Sequence, residues 1–447
     1  MKVLRSSLFL GLLVIQVAAG VPGVAEDRIP AFPTAEGFGM YAKGGRGGKV
    51  LHVTSLADYD PKRSEVIPGT LRAACNSKGP RTVVFRVSGT IELVTGLIIT
   101  EPFLTIAGHT APGEGICLKG HGTSIRASEV IVRCLRFRPG DESGRELDAL
   151  SVSSYKTPGD WPVRNVIVDH CSASWATDEV LSVSGEGITD VTIQWCIISE
   201  SLNRSVHKKG SHGYGSLIRC NGDVTFHHNL YAHHSSRCPR PGTYGEGCIL
   251  LDFRNNLIYN AFGYSASDPV RMNYVGNYVK HFKLDKVFSI GGVETKIYLD
   301  GTIMETAKGA ALGGWELISK AQDENKMAKP FDVAAVTTDT AQKAYDRIVR
   351  SCGAIVPTRD AVDARVVADV TAGTGRIIDS QTDVGGWPKL RSATPPPDTD
   401  SDGMPDTWED RHGLLPDTPD NNADPDNDGY TNLEEFLNFT APHKKDS

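Results

Sequence analysis

Short apolar runs recur along the middle of the chain, and each run encloses a Cys or an Asn. The centres of these runs are Cys134, Cys171, Cys196, Asn229, Asn256 and Asn277, with successive spacings of 37, 25, 33, 27 and 21 residues. The flanking residues alternate or are β-branched and aromatic, which is typical of short strands. Irregular spacing near one coil length favours a parallel β-helix, in which insertions leave the turns as loops. We therefore predict an all-β fold of stacked coils.

The repeated Cys and Asn positions predict a ladder inside the turns between coils. Stacked Asn side chains can bond the backbone of the neighbouring coil, and a Cys can fill the same slot as a small buried group. The chain has nine cysteines, an odd number, so they cannot all pair with one another within it. We interpret the cysteines as packing residues rather than as a disulfide framework, a metal cluster or a nucleophile.

Composition divides the chain into four parts. Residues 1–25 read as a secretory signal peptide, because a basic start precedes an apolar stretch and small residues before Glu26. Residues 26–300 are the predicted β-helix, and residues 301–394 contain two short helices that begin near Thr340 and Asp360 and pack outside it. Three prolines at 395–397 open a tail that runs to residue 440. We expect a secreted monomer that binds neither a membrane nor nucleic acid.

The tail contains two motifs that fit the twelve-residue calcium loop. Each has oxygen ligands at positions 1, 3 and 5, a Gly at position 6 and a carboxylate at position 12. The predicted ligands are Asp398, Asp400, Asp402, Asp406 and Glu409 in the first loop, and Asp424, Asp426, Asp428, Asn432 and Glu435 in the second. We predict two Ca²⁺ sites with a structural role, because the loops contain no obvious catalytic group.

Charge is unevenly distributed between the tail and the body. Residues 398–435 have a net charge of −12, which leaves +5 for the rest of a chain whose total is −7. A mildly basic body tolerates an anionic ligand. Arg237 and Arg240 lie together in this body, next to Pro239 and Pro241, directly after one of the repeated runs. Clustered cations on a regular scaffold are a candidate site for an anionic polymer.

Several motifs resemble the pectate lyases of polysaccharide lyase family 1. They lie in the family's order between residues 31 and 278: Ala31-Phe32-Pro33, Gly44-Gly45-Arg46-Gly47-Gly48, Pro68-Gly69-Thr70-Leu71-Arg72, Thr105-Ile106-Ala107-Gly108, Val168-Asp169-His170 and Arg237-Cys238-Pro239-Arg240. The resemblance is closest to secreted members with an acidic calcium-loop tail. It implies a right-handed parallel β-helix that cleaves polygalacturonate by calcium-assisted β-elimination, giving 4,5-unsaturated oligogalacturonides.

The resemblance also implies roles for particular residues. Asp169 corresponds to a calcium-binding Asp of the family, and Asp178 and Glu179 occupy the region of the other acidic ligands. Arg237 matches the catalytic base, and Arg240 matches a substrate-binding Arg. Because Arg is protonated under ordinary conditions, the base role requires nearby cations and desolvation that disfavour its charged form.

Two departures from the family pattern bear on these roles. Ser182 stands where the family places a second acid, so Glu179 is the candidate substitute. The 203–215 stretch differs in length from its family counterpart, so Lys209 and Lys208 are both candidates for the Lys that binds the substrate carboxylate. His207 or His212 is a candidate to replace part of that function.

Two alternatives use the same scaffold. A polygalacturonase-type hydrolase needs two opposed carboxylates with room for water, and the paired Asp motif expected around Gly120-His121-Gly122 is missing. A non-catalytic carbohydrate-binding β-helix would not need Arg237, Arg240 and Lys209 together. The ultraviolet absorbance of a 4,5-unsaturated product distinguishes the lyase from both.

Overall fold

Short strands of β-branched and aromatic residues make up most of the fold. The computed structural model describes residues 28–154, 162–280, 285–306, 309 and 311–442, so the signal peptide predicted at 1–25 lies outside the described residues. The strands are β1 (Lys49–Val53), β2 (Arg81–Phe85), β3 (Gly89–Glu92), β4 (Leu97–Ile99), β5 (Leu104–Ala107), β6 (Ile116–Lys119), β7 (Thr123–Ile125), β8 (Val130–Arg133), β9 (Arg136–Arg138), β10 (Leu150–Ser153), β11 (Val163–Asp169), β12 (Ser172–Ser174), β13 (Leu181–Ser184), β14 (Ile188–Gln194), β15 (Ile197–Ser199), β16 (Leu217–Cys220), β17 (Asp223–His227), β18 (Leu230–Ala232), β19 (Arg240–Thr243), β20 (Ile249–Arg254), β21 (Leu257–Tyr259), β22 (Gly263–Tyr264), β23 (Val270–Val275), β24 (Tyr278–Lys280), β25 (Phe288–Ser289), β26 (Thr295–Asp300), β27 (Ile303–Glu305), β28 (Ala311–Gly313) and β29 (Ile318–Ser319).

Five α-helices and five 3₁₀ turns accompany the strands in the described part of the chain. The α-helices are α1 (Leu71–Cys75), α2 (Ala341–Ser351), α3 (Ala361–Ala372), α4 (Asp406–His412) and α5 (Asn432–Thr440). The 3₁₀ turns are Phe38–Tyr41, Gly108–Thr110, Trp315–Leu317, Asp323–Asn325 and Gln381–Val384. None of these helices, within the described residues, has the length and apolar character needed to cross a bilayer.

Most strands stack into three sheets, which are parallel except that β28 pairs antiparallel with β27. Strands β22, β25 and β29 form a further parallel sheet of three strands. Sheet 1 has the order β1-β2-β5-β8-β11-β14-β17-β20-β23-β26, sheet 2 the order β19-β16-β13-β10-β7-β4, and sheet 3 the order β28-β27-β24-β21-β18-β15-β12-β9-β6-β3. From β2 to β21 the chain passes from sheet 1 to sheet 3 to sheet 2 and back again, one strand at a time. After β21, strands β22 and β25 of the three-stranded sheet take the place of sheet 2 strands. This arrangement is a parallel β-helix and confirms the predicted fold class. Strands β27 to β29 extend it past residue 300, where the sequence places its end.

The interior is a continuous stack of apolar side chains from successive coils. Along sheet 1 the register places Val168 next to Ile193, Ile193 next to Phe226, and Phe226 next to Phe253. All four are fully buried, and the next ring, Tyr274, stacks on Phe253 with centroids 5.4 Å apart. Because each coil covers its neighbour, the core grows along the axis instead of radially.

The predicted ladder is present in five of its six positions. The backbone N–H of Cys196 donates to Asn229 Oδ1 at 2.9 Å, that of Asn229 to Asn256 Oδ1 at 3.0 Å, and that of Asn256 to Asn277 Oδ1 at 2.9 Å. Cys171 and Cys196 occupy the same slot, buried and free.

The prediction for Cys134 is wrong by one residue. The register pairs Arg133 with Asp169, so Cys134 lies opposite His170 and Leu135 lies opposite Cys171. Cys134 is buried and adopts a left-handed φ of 58°. The prediction failed because the ladder slot of this coil holds Leu135, an apolar side chain that is neither Cys nor Asn.

Helices α2 and α3 confirm the two predicted helices and their N-termini. Thr340 and Asp360 are the N-caps, and their side chains accept from the N–H of Lys343 and Asp363, respectively. Apolar residues of both helices, including Ile348 and Val366, pack against the outer face of sheet 3. Asp360 also pairs with the buried Arg138 at 2.5 Å, which ties α3 to the β-helix.

Candidate active site and metal centres

A cleft runs along the outer face of sheet 2. The register aligns Ser124, Ser151 and Ser182 in one row, which continues toward Leu217 and Arg240. Small hydroxyl side chains therefore form the floor, and the cleft has a volume of about 730 Å³. Its lining residues include His121, Arg126, Arg145, Glu146, Asp148, Asp178, Glu179, Glu186 and Tyr244.

Three carboxylates converge where two coils enter this sheet. Asp148 precedes β10, and Asp178 and Glu179 precede β13, so stacking of the two strands brings them together. Each offers an oxygen within 4.8 Å of the others. The N–H of Glu179 donates to Asp148 Oδ1 at 3.2 Å, which fixes the spacing of the two coils.

Of these carboxylates, Asp148 disfavours its charged form. Burial raises the pKa of Asp148 to about 8, and the neighbouring Asp178 adds to this rise, while Arg237 opposes it. A set of converging carboxylate oxygens is the donor chemistry that Ca²⁺ prefers. The residues therefore fit a divalent cation of this kind.

Arg237 lies against this acidic group. It has a left-handed φ of 62° just before β19, and its Nη1 contacts Glu179 Oε1. The guanidinium carbon also lies 4.2 Å from the centroid of the Tyr214 ring, a cation–π contact. The sequence prediction that Arg237 and Glu179 belong to one site is consistent with this geometry.

Arg240 occupies the first position of β19, next to Leu217 in sheet 2. Its Nη2 lies 3.1 Å from Asp268 Oδ2, and Arg219 Nε lies 3.3 Å from the same oxygen. Two arginines thus share one carboxylate at this end of the cleft.

The 203–215 loop places two histidines against Asp178. His212 Nε2 lies 2.7 Å from Asp178 Oδ1, and His207 Nε2 lies 3.7 Å from Asp178 Oδ2. Their rings are stacked at 3.6 Å. Burial lowers the pKa of His212, although the neighbouring Asp178 opposes this. His212 therefore contacts Asp178 directly, and His207 supports it by ring stacking.

The two lysines of this loop have different surroundings. Lys208 Nζ lies 3.1 Å from Glu146 Oε2, and its backbone N–H donates to the same side chain. Lys209 is exposed, and its N–H donates to His207 Nδ1 at 3.1 Å. His207 therefore contacts acidic side chains rather than the open cleft.

The structure does not bring Asp169 to the acidic group, which corrects its assignment with Asp178 and Glu179. Asp169 ends β11 in sheet 1, whereas the cleft lies on sheet 2. It is fully buried and bonds to Arg133 Nε at 2.9 Å, His170 Nδ1 at 2.7 Å and Gln194 Nε2 at 2.8 Å. Burial alone would raise the pKa of Asp169, but His170 and Arg133 hold it well below its usual range. Asp169 thus forms a buried ion pair with Arg133 in sheet 1.

Both tail motifs form compact acidic loops followed by a helix. Asp398, Asp400 and Asp402 converge in the first loop, and Asp424, Asp426 and Asp428 converge in the second. Glu409 joins Asp402 together with Asp420, which the motif does not contain. Burial, reinforced by Asp402, raises the pKa of Glu409 to about 7. Both Glu409 oxygens, Asp398 Oδ1 and Asp400 Oδ2 are buried without hydrogen-bond partners, so the first loop fits a cation.

Three predicted tail ligands have other surroundings. Asp406 accepts from the N–H and hydroxyl of Thr399 at 2.7 and 2.8 Å. Asn432 Nδ2 donates to Asp420. Glu435 lies outside the converging group of its loop. Burial, together with the nearby charge of Asp428, raises the pKa of Glu435. The structure therefore groups the ligands at positions 1, 3 and 5 more tightly than those at positions 9 and 12 of the second loop.

Sequence reasoning missed Asp148, although the sequence contains a signal for it. Asp148-Ala149-Leu150-Ser151-Val152-Ser153 and Glu179-Val180-Leu181-Ser182-Val183-Ser184 repeat the same pattern 31 residues apart. Aligning the two Leu-Ser-Val-Ser runs as adjacent coils places the two acids side by side. Asp268, Asp420 and Tyr214 have no comparable signal, since each meets its partners through loops.

Known proteins similar to this chain are pectate lyases. A protein of Aspergillus flavus named "Probable pectate lyase C" is 34% identical over 431 residues, covering 93% of this chain and 95% of the relative. The protein of the same name from Aspergillus fumigatus is 33% identical over 433 residues, covering 94% and 95%. No family model matches the chain.

A solved structure described as a pectate lyase bound to hexasaccharide superposes on the chain with a TM-score of 0.51. The identity is 14%, and the match covers 74% of this chain and 99% of that one. At this level of identity the likeness concerns the fold, and it agrees with the stacked parallel sheets.

Proposed function

Because the chain belongs to the pectate lyase family and is a polysaccharide lyase, we propose that its sheet 2 cleft cleaves polygalacturonate by calcium-assisted β-elimination. The observation that carries this proposal is the meeting of Asp148, Asp178 and Glu179 with Arg237 at one point of the cleft. A cation held by these carboxylates and the guanidinium beside it would both attract negative charge. Such a site suits polygalacturonate, in which every sugar unit has a carboxylate.

The reaction requires three coupled changes in the sugar chain. A base takes the proton from C5, the electrons of that bond form the C4–C5 double bond, and the bond from C4 to the glycosidic oxygen breaks. The leaving oxygen then takes a proton from an acid or from water. The products are a new chain end and a 4,5-unsaturated uronate.

The residues of the cleft divide these tasks. We assign the C5 proton to Arg237 and the binding of a neighbouring uronate carboxylate to Arg240 with Arg219. Asp148, Asp178 and Glu179 would hold Ca²⁺, which when bound withdraws charge from the substrate carboxylate and so stabilises the enolate-like intermediate. Lys209 is the candidate for a further substrate carboxylate, because Lys208 is paired with Glu146.

Secretion and calcium in the tail belong to the same proposal. The basic and apolar start of the chain supports export, and the buried oxygens of Glu409 and Asp398 support a cation in the first tail loop. An extracellular enzyme would meet enough calcium to fill such sites. The tail cation would serve stability, since the tail packs on Val50 and Ala107 of sheet 1 and none of its described residues lines the cleft.

The test is the ultraviolet absorbance of unsaturated product released from polygalacturonate, measured with calcium and with a chelator. We expect absorbance that a chelator abolishes, and we expect Arg237→Ala and Arg237→Lys to lose it. Arg271→Ala, on the exposed face of sheet 1, is the matched control. Near wild-type product formation by either Arg237 variant, or new reducing ends without absorbance, would contradict the proposal.

A further inference from the structure

Glu179 lies between the cation-binding group and the candidate base. One of its oxygens contacts Arg237 Nη1, and the same residue offers an oxygen within 4.8 Å of Asp148 and Asp178. Its side chain is 6% exposed, so solvent cannot substitute for either partner. A single buried carboxylate thus has two competing uses.

The other two carboxylates are already engaged by the protein. Asp178 receives His212 Nε2 at 2.7 Å, and Asp148 Oδ1 accepts from the N–H of Glu179. Ca²⁺ takes about 6–8 oxygen ligands, so a cation here needs the Glu179 oxygens. Arg237 opposes cation binding in two ways. Its positive charge repels the cation, and its Nη1 occupies one oxygen of Glu179.

We propose that Glu179 is a shared carboxylate that couples cation binding to the release of Arg237. Without a cation, Glu179 holds the Arg237 guanidinium. When a cation binds, Glu179 turns to it, and Arg237 Nη1 becomes available to the substrate. Glu179 is therefore a positioning residue for Arg237 as well as a ligand. This inference rests on the proposed calcium site and specifies how that site is regulated.

The coupling must be reciprocal. If cation binding weakens the Glu179–Arg237 contact, then removing Arg237 must strengthen cation binding by the same factor. A purely structural role of Glu179 would not produce this effect. A simple loss of positive charge would produce it whether or not Glu179 is present, so the two explanations differ in a Glu179→Gln background.

The experiment measures Ca²⁺ binding to the full-length protein by calorimetric titration. The binding phase lost in Asp148→Asn identifies the cleft site and separates it from the tail loops. We expect Arg237→Ala to tighten this phase about tenfold. In the Glu179→Gln background, where the phase is weaker, the same change should alter affinity less than about twofold.

Arg240→Ala is the matched control for charge, because Arg240 pairs with Asp268 and not with the acidic group. It should leave the affinity within about twofold of wild type. Equal tightening by Arg237→Ala in both backgrounds, or no tightening at all, would overturn the shared-carboxylate inference and leave the calcium site intact. Absence of a cleft phase in the wild-type protein would overturn the calcium site and this inference together.

Discussion

The cleft and the tail each gather acidic side chains, but they do so in different ways. In the tail, Asp398, Asp400 and Asp402 converge within five residues of one loop. In the cleft, Asp148 and Glu179 come from separate coils, 31 residues apart. The first cluster depends on local backbone geometry, whereas the second depends on the stacking of strands β10 and β13.

This difference explains which acids a sequence can reveal. The ligands of a calcium loop lie within one short segment of the chain, so they can be recognised as a sequence motif. The ligands of a site on a β-helix come from different coils, so they can be recognised in the sequence only when the coil boundaries are known. The two clusters should also differ in what they control, with the cleft governing catalysis and the tail governing stability.

Asp148→Asn gives the largest expected effect. We expect product formation to fall on the order of 100-fold or more, because the variant removes one charged ligand from the group that stabilises the developing negative charge. The melting temperature should stay near that of the wild type. Asp190→Asn, on sheet 1 away from the cleft, is the control, and full activity of Asp148→Asn would show that the cleft cluster is not catalytic.

Asp169→Asn tests whether an acid outside both clusters behaves differently from the cleft acids. Because this change leaves Arg133 and His170 without their buried carboxylate, we expect a loss of about 3 kcal/mol in the free energy of unfolding. Urea unfolding measures that loss. Activity per folded molecule should stay close to wild type. Loss of cleft calcium binding with unchanged stability would instead restore Asp169 as a ligand.

Glu409→Gln addresses the tail side of the comparison. In calcium, we expect it to lower the free energy of unfolding by about 1–2 kcal/mol, because a ligand that binds only the folded state stabilises it through binding. Product formation by folded enzyme should not change. Asp410→Asn, an exposed neighbour, should have little effect, and equal losses in the two variants would indicate general charge repulsion rather than a cation site.

The smallest expected effect is a pH dependence that both clusters share. Burial raises the pKa of Asp148 to about 8 and that of Glu409 to about 7, so the chelated folded protein binds protons that the unfolded chain has released. This contribution to stability is complete at low pH and is lost as pH rises through those values. The melting temperature of chelated protein should therefore fall between about pH 5 and 8 and level off above that range.

Calcium-loaded protein should show a weaker fall over the same range, because a bound cation replaces the protons. Asp148→Asn and Glu409→Gln should each flatten part of the slope in chelator. A slope unchanged in both variants would assign the pH dependence to groups outside the two clusters.

The sequence predicted the parts of the structure that follow from local chemistry. Asn229, Asn256 and Asn277 identified the coil turns, and Thr340 and Asp360 identified the helix starts, because ladders and caps need those side chains at those positions. Arg237 and Glu179, which the resemblance to a family suggested, do meet in the cleft. Their individual roles stay predictions.

The remainder depended on tertiary packing. Cys134 was misplaced because Leu135 fills the ladder slot with a side chain of a different kind. Asp169 was grouped with the cleft acids because the Val168-Asp169-His170 run resembles a calcium-binding segment of the family, and it lies only nine residues before Asp178. Those nine residues cross from sheet 1 past sheet 3 to sheet 2. The two acids are therefore close in sequence but lie on different sheets.

The contacts between the tail and the first coil have a consequence for biosynthesis. Arg46 bonds to Glu434, 388 positions later, and His52 to Asp398, 346 positions later. Apolar tail residues such as Leu433 and Phe436 pack on Ala107 and Val50 at the same place. At roughly 5–20 residues per second on the ribosome, Glu434 follows Arg46 by roughly 20–80 s. The earliest coils of a nascent chain must therefore remain without these contacts until residues 398–437 have been synthesised.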